Sequence, residues 1–277
     1  MTARKRSVLF LIAAAILWST GGLLIKLVQW NPMAISGVRS LIAAVCMLAW
    51  VRKPRWTWSS PQLLGALAYA VMVTLFVLAN KMTTAANVIL LQYSAPIYIA
   101  LFSNWFLNEK ITRFDWLITA VVMGGMVLFF LDGLTWTGIG GNILAILGGV
   151  ALAWLFMLSR KQKEGSPVET VILGNILAVL ITLPFWFDGN APDVAGWLAL
   201  VVLGVFQLAV PYLLFASAIK HVTALEAILI PTIEPLLNPI WVFIITREQP
   251  GPWAMVGGVI VLTAITFRAL RRAPSTP

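Results

Sequence analysis

This sequence is dominated by ten runs of mostly apolar residues. As an α-helix, each run would be about as long as a bilayer is thick. A spanning helix needs about 20 such residues. Only 10% of the residues are charged, whereas an ordinary soluble domain carries about 25%. We therefore predict an all-α integral membrane protein with ten transmembrane helices. The runs lie near residues 7–28, 32–51, 62–80, 84–107, 114–131, 139–160, 167–187, 195–218, 223–245 and 252–269.

The basic residues predict how these helices are oriented. Apart from Lys26 and Arg39, which fall within helices, only Lys81 and Arg247 of the 19 Lys and Arg residues lie on the side opposite the N-terminus. Cytoplasmic loops carry an excess of Lys and Arg, so both termini are predicted to be cytoplasmic in a bacterial inner membrane. The net charge of +9 is thus a topology signal, and we expect the lipid bilayer, with no nucleic acid, as the surrounding partner.

The two halves of the chain resemble each other after a shift of 139 residues, the separation of Glu109 from Glu248. Each half holds five predicted spans, an odd number, so the second half enters the membrane inverted. We predict repeats at about 7–131 and about 139–269 within a single transmembrane domain. Inverted repeats are typical of secondary transporters, whose site lies near the midplane between the halves. The same shift pairs Gly65 with Gly204, Lys81 with Lys220 and Pro96 with Pro235.

Several short motifs resemble those of the drug/metabolite transporter superfamily, in its ten-helix EamA branch, over nearly the whole chain. Where the family usually has Gly before the Glu that closes helices four and nine, this chain has Asn108 and Arg247. The motifs are Trp18-Ser19-Thr20 with Lys26, Arg39, Tyr93-Ser94-Ala95-Pro96 ending in Asn108-Glu109-Lys110, and Ile233-Glu234-Pro235 ending in Arg247-Glu248.

The resemblance implies a secondary transporter that exports small metabolites by alternating access through a central cavity lined by both halves. Some relatives export aromatic amino acids, so amino acids with aromatic or hydrophobic side chains, or related amphipathic compounds, are the first expectation. Drugs or quaternary amines are the alternative cargo, and a passive channel is the alternative mechanism. The chain is expected to be a monomer or a homodimer.

Glu234 is the best-supported candidate for a binding residue. It falls near the middle of predicted helix nine, where a charge costs about 2.5–3.5 kcal/mol, and it shares a helix face with Asn238 and Trp241. One interpretation is a site for a substrate amine or a proton. The other is a structural carboxylate that pairs with a neighbouring helix.

Prolines interrupt the same helix at every fourth residue, at Pro231, Pro235 and Pro239. Proline has no backbone N–H, so the carbonyls four residues earlier lose their donors. Pro96 acts likewise in helix four. Such carbonyls bind a cation or simply accompany a kink, so these prolines are expected to serve gating or structure. Arg39, deep in helix two, is expected to tie helices together.

Further aromatic and polar residues are candidates for the cavity wall, although each alone is equally consistent with packing. Together they predict a cavity with aromatic walls and few formal charges. They are Trp18, Tyr69, Asn87, Tyr98, Trp154, Gln207 and Tyr212.

Catalysis is not expected, because the chain has one histidine, His221, and no recognisable catalytic motif. Cys46 is the single cysteine, so no disulfide or multi-thiolate metal site forms within one chain. We expect no cofactor and no metal.

Overall fold

The computed structural model describes residues 2–131, 138–162, 167–187, 189, 191–237 and 251–271, and within them all regular structure is helical. This confirms the prediction of an all-α membrane protein. The α-helices are α1 (Ala3–Trp18), α2 (Gly21–Leu27), α3 (Pro32–Val51), α4 (Ser60–Met82), α5 (Ala85–Gln92), α6 (Ala95–Leu107), α7 (Arg113–Phe130), α8 (Ile139–Lys161), α9 (Pro167–Thr182), α10 (Val194–Val202), α11 (Val210–Ala218), α12 (Ala224–Leu229) and α13 (Pro252–Arg271).

Seven helical stretches in the described residues are long and apolar enough to cross a membrane. Each corresponds to one of the ten predicted spans. Of the other three, 114–131 corresponds to α7 and 252–269 to α13, and 223–245 is described only as far as residue 237.

Four spans predicted as continuous helices are interrupted. In the span 223–245, α12 is followed by a short 3-10 helix, Ile230–Thr232. Between α1 and α2, the hydroxyls of Ser19 and Thr20 bond back to carbonyls three residues earlier, at 2.6 and 2.8 Å. Such bonds compete with the helical ladder. Between α5 and α6 the break falls at Tyr93-Ser94, just before Pro96. A π-helical segment, Leu203–Ala209, joins α10 to α11 ahead of Pro211. In the last two cases a missing proline N–H removes a ladder bond.

Helices from the two halves pack directly against each other. The long helix α4 lies against α8 and α9, α3 lies against α9 and the π-helical segment, and α1 lies against α11. These contacts place α1, α3 and α4 of the first half around the irregular segments of the second half. A cavity at this junction is therefore bounded by both halves.

Glycines bring α7 and α13 into backbone contact. A Cβ atom on Gly257 would overlap the carbonyl oxygen of Gly125 and the backbone nitrogen of Phe129. Paired glycines in a sequence permit close contact between helices, either within one chain or between two chains. The Gly125 to Gly257 approach lies within the chain.

Charged residues meet where α1, α7 and α12 begin and α13 ends, and we call Arg4, Asp115, Glu226 and Arg268 the end cluster. Arg268 Nη2 lies 3.1 Å from Asp115 Oδ1, and Arg4 Nη2 lies 2.7 Å from Glu226 Oε1. Asp115 and Glu226 also cap their own helices through Thr112 and Thr223. The end cluster thus joins four helix ends at the face predicted to be cytoplasmic.

Outside the end cluster, a further ion pair lies at the face predicted to be cytoplasmic. Arg160 Nε donates to Glu109 Oε1 at 2.8 Å, and Glu109 Oε2 accepts the backbone N–H of Ala224 at 3.0 Å. Glu109 thus connects the segment after α6 to the C-terminal end of α8 and the start of α12. Both connected elements belong to the predicted second half.

Candidate functional site

A cavity lies between the two halves, where the interrupted helices meet. Its volume is about 50 Å³, which is room for a few water molecules. In the described residues it is lined by Trp18, Arg39, Met72, Val73, Phe76, Gln92, Tyr93, Leu152, Phe156, Gln207, Leu208, Tyr212, Ile228, Pro231 and Glu234.

Glu234 enters this cavity beside Tyr93, which sits at the break between α5 and α6. The Tyr93 hydroxyl oxygen lies 2.6 Å from Glu234 Oε2 and 2.9 Å from the Pro231 carbonyl oxygen. A phenol has one proton to donate, so it cannot donate to both oxygens at once. The chain of bonds is complete when a protonated Glu234 donates to Tyr93 and Tyr93 donates to Pro231. With an ionised Glu234, one of the two acceptors lacks a donor.

The prolines account for the free acceptor at this point. The usual donor to the Pro231 carbonyl would be the backbone nitrogen of residue 235, which is a proline. Tyr93 takes its place. In the other half, Pro96 removes the donor to the Gln92 carbonyl, and α8 covers that carbonyl with Gly149, where a Cβ would lie 2.7 Å from the oxygen. One freed carbonyl therefore faces the cavity and the other faces a helix.

Arg39 also lines the cavity and is 1% exposed. Its Nη1 donates to Gln207 Oε1 at 3.1 Å and its Nη2 donates to the Val73 carbonyl at 2.8 Å. Its guanidinium carbon lies 6.0 Å from the centre of the Phe76 ring. These bonds tie α3 to α4 and to the π-helical segment. That Arg39 also faces the cavity was not expected.

Aromatic rings surround Tyr212 and form much of the remaining wall. The ring centres of Trp18 and Tyr69 lie 5.0 and 4.9 Å from that of Tyr212, both edge to face. Gly21 leaves room for Gln207, because a Cβ there would lie 2.8 Å from Gln207 Nε2. Trp18, Gln207, Tyr212 and Glu234 are therefore the predicted binding residues that the structure gathers around one cavity.

Other predicted wall residues lie elsewhere. Tyr69 is buried behind Tyr212 and donates to Asn175 Oδ1 at 3.2 Å. Asn87 bonds Thr83 and Asn142 at 3.1 and 3.0 Å. Tyr98 is half-buried against the hydrophobic core. None of the three lines the cavity.

Trp154, another predicted wall residue, does not line the cavity. It is half-buried and stacks on Phe102, with ring centres 5.9 Å apart, and meets Phe106 edge to face at 5.2 Å. Its helix, α8, turns Leu152 and Phe156 to the cavity instead.

Three further residues of the predicted site, Asn238, Pro239 and Trp241, lie outside the described residues. Pro96 lies at the start of α6, and Pro235 follows the 3-10 helix Ile230–Thr232. Neither proline lines the cavity. Sequence reasoning missed Tyr93 and Gln92 as lining residues. The available signal was the Tyr-Ser-Ala-Pro motif itself, which places Tyr93 beside a proline break at the position that corresponds to Thr232.

Metal binding finds no support in the described part of the chain. No group of three or more His, Cys, Asp or Glu side chains comes together there. The cavity offers one carboxylate and one guanidinium, together with neutral amides, hydroxyls and rings. This donor set is suited to an organic ligand.

Known proteins similar to this chain are membrane transporters. The model of the EamA-like transporter family matches residues 5–131 and residues 139–269. An uncharacterized transporter of Archaeoglobus fulgidus is 24% identical over 261 residues, covering 92% of this chain and 93% of its own. The uncharacterized transporter YdfC of Bacillus subtilis is 26% identical and covers 97% and 93%.

Two further similarities concern export and fold. The pseudopaline exporter CntI of Pseudomonas aeruginosa is 25% identical over 185 residues, covering 65% of this chain and 64% of its own. A solved crystal structure superimposes with a TM-score of 0.81 at 18% identity, covering 98% of this chain and all of that one. At this identity the superposition shows a shared fold.

Proposed function

Because the chain belongs to the EamA-like transporter family, we propose that it exports small amphipathic metabolites across the bacterial inner membrane. The proposed cargo is amino acids with aromatic or hydrophobic side chains, or related compounds that carry an amine. The observation that carries the proposal is the position of the Glu234 carboxylate, which lies in the cavity between the halves and competes with the Pro231 carbonyl for the single proton of Tyr93. A similar chain that is named an exporter supports the direction of transport.

The acceptors around Tyr93 suit a proton or an ammonium group. An ionised Glu234 and the Pro231 carbonyl together need more donors than one phenol supplies. An ammonium group has three N–H donors and satisfies both oxygens while it neutralises the carboxylate. A proton on Glu234 completes the same chain of bonds without cargo. Proton and amine are thus alternative occupants of one site.

The rings of the wall suit the rest of an amphipathic molecule. Trp18, Tyr212 and Phe156 all line the cavity, and ring-to-ring contacts contribute about 0.5–1.5 kcal/mol per pair beyond area burial. A cargo with an aromatic or branched apolar side chain gains from this wall. A sugar, which presents hydroxyls on every side, gains less.

The size of the cavity and the predicted repeats support transport by alternating access. A space of about 50 Å³ does not admit an amino acid, so the halves must separate for cargo to enter. Two inverted halves provide equivalent gates on either face. The Glu109 to Arg160 pair and the bond to Ala224 fit the closed gate of one face.

Counterflow in reconstituted vesicles tests the function and its mechanism together. Vesicles that hold the purified protein and are loaded with unlabelled phenylalanine should transiently accumulate labelled phenylalanine above equilibrium. Uptake that reaches equilibrium without an overshoot and does not saturate would indicate a channel. Counterflow with choline but not with phenylalanine would replace the proposed cargo by quaternary amines.

The proposed orientation places both termini in the cytoplasm. In a variant with Cys46→Ser, a cysteine introduced by Asp188→Cys should react with an impermeant thiol reagent in intact cells. A cysteine introduced by Arg52→Cys should stay protected until the cells are lysed. The opposite labelling pattern would invert the topology.

A further inference from the structure

The cavity contains a positive charge that no acidic side chain of the described residues neutralises. Arg39 is buried, and among the described residues its guanidinium donates to the Val73 carbonyl and the Gln207 amide oxygen. Both are neutral acceptors. A buried charge is costly unless it is paired. Among the described residues that line the cavity, the only acid is Glu234, and it forms no ion pair with Arg39 in the described structure.

Two buried N–H groups in the same cavity lack acceptors. Arg39 Nε and Trp18 Nε1 have no hydrogen-bond partner among the described residues, although both side chains are more than nine-tenths buried. An unpartnered buried donor costs about 1–3 kcal/mol. Both donors belong to residues that line the cavity, which makes them candidates to donate to an oxygen of a ligand that enters it.

The cavity wall therefore carries two unlike sets of polar groups, which we call the acceptor pole and the donor pole. At one, Glu234 and the Pro231 carbonyl supply acceptors that need donors. At the other, Arg39 and Trp18 supply donors that need an acceptor. Tyr212 contacts the Trp18 ring and lines the same space. A ligand with an ammonium and a carboxylate close together satisfies both poles, whereas a simple amine leaves the donor pole unsatisfied.

We propose that Arg39 and Trp18 bind the carboxylate of the cargo, so that the cavity selects zwitterionic α-amino acids over amines that lack a carboxylate. This inference rests on the proposed function, since Glu234 holds the ammonium group of the same molecule. It gives Arg39 a role in specificity beyond joining α3 to α4. The guanidinium keeps its two existing bonds and offers Nε to the ligand, and its positive charge is neutralised when the carboxylate arrives.

Three ligands that share one aromatic ring separate the two poles. Phenylalanine carries both charges, phenethylamine carries only the amine, and 3-phenylpropionate carries only the carboxylate. Apparent Kd values follow from the stabilisation of purified protein against thermal unfolding as ligand concentration rises. The wild type should bind phenylalanine about ten- to a hundredfold more tightly than either partial ligand.

Arg39→Gln should remove the preference for phenylalanine over phenethylamine, because phenylalanine loses the proposed partner of its carboxylate. Arg39→Lys restores the charge without Nε or the planar fork, so it should recover only part of the preference. If Arg39→Gln does not fold, Arg39→Lys carries the test alone. Lys26→Gln removes a positive charge from an exposed position on α2 and should keep the wild-type ratio.

The outcomes distinguish this inference from the function on which it rests. A wild type that binds phenethylamine as tightly as phenylalanine, or an Arg39 variant that keeps the full preference, would overturn the zwitterion site and leave amine export standing. A wild type that none of the three ligands stabilises would contradict both.

Discussion

The end cluster and the central cavity both bury charged side chains, but the protein compensates those charges differently. In the end cluster, Arg268 is 3% exposed and lies against Asp115, and Glu226 pairs with Arg4. In the cavity, Arg39 and Glu234 bond to a carbonyl, an amide oxygen and a phenol. Charges that the protein neutralises hold helix ends together. Charges that it leaves with neutral partners are available to a ligand.

This difference predicts different consequences when a charge is removed. Deleting one partner of a buried ion pair strands the other charge and costs about 3–5 kcal/mol. Deleting a charge that has only neutral partners strands no opposite charge. The first change should lower stability, and the second should lower transport.

Asp115→Asn should have the largest effect on stability. It removes the nearer carboxylate of the buried Arg268 guanidinium and leaves the more distant Glu226, whose Oε1 lies 4.0 Å from Arg268 Nη1, so it should lower the free energy of unfolding by about 3 kcal/mol. Denaturant unfolding in detergent measures the loss, while export per folded molecule should stay near the wild-type value. As a control, Asp193→Asn changes an exposed helix cap, where Asn caps about as well as Asp. An unchanged unfolding free energy for Asp115→Asn would contradict the claim that the end cluster stabilises the fold.

Glu109→Gln should have a smaller effect in the same direction. The Glu109 to Arg160 pair is partly exposed, at 18% and 31% of the two side chains, and pairs near the surface contribute about 0.2–1 kcal/mol. The amide oxygen of Gln still accepts the Ala224 N–H. A loss as large as that of Asp115→Asn, measured by the same unfolding experiment, would show that burial does not set the ranking.

The sequence allowed the helices to be predicted because a bilayer leaves few alternatives to an apolar helix about 20 residues long. It also singled out Glu234 and the prolines, since their costs are local and do not depend on neighbours. The Tyr93 to Pro231 bond joins residues 138 positions apart, and no local pattern encodes such a meeting. Packing likewise decides which face of α8 meets the cavity. Trp154 was therefore predicted to line the cavity and does not, whereas Leu152 and Phe156 line it and were not predicted.

Arg39 illustrates a different limit. Its depth in helix two suggested a structural tie, and the bonds to Val73 and Gln207 agree with that interpretation. No sequence pattern indicates that one nitrogen of the same guanidinium has no acceptor among the described residues. Unsatisfied donors are a property of the packed structure.

The most direct test of the account is export per folded molecule by Glu234→Gln in reconstituted vesicles. The Gln amide can donate to Tyr93 as a protonated Glu does, so the variant should fold normally. It cannot ionise to hold an ammonium group, so export should fall by about tenfold or more. Glu169→Gln makes the same change at a buried acid outside the cavity, which accepts the Arg55 N–H, and should export normally. Wild-type export per folded molecule by Glu234→Gln would contradict the account.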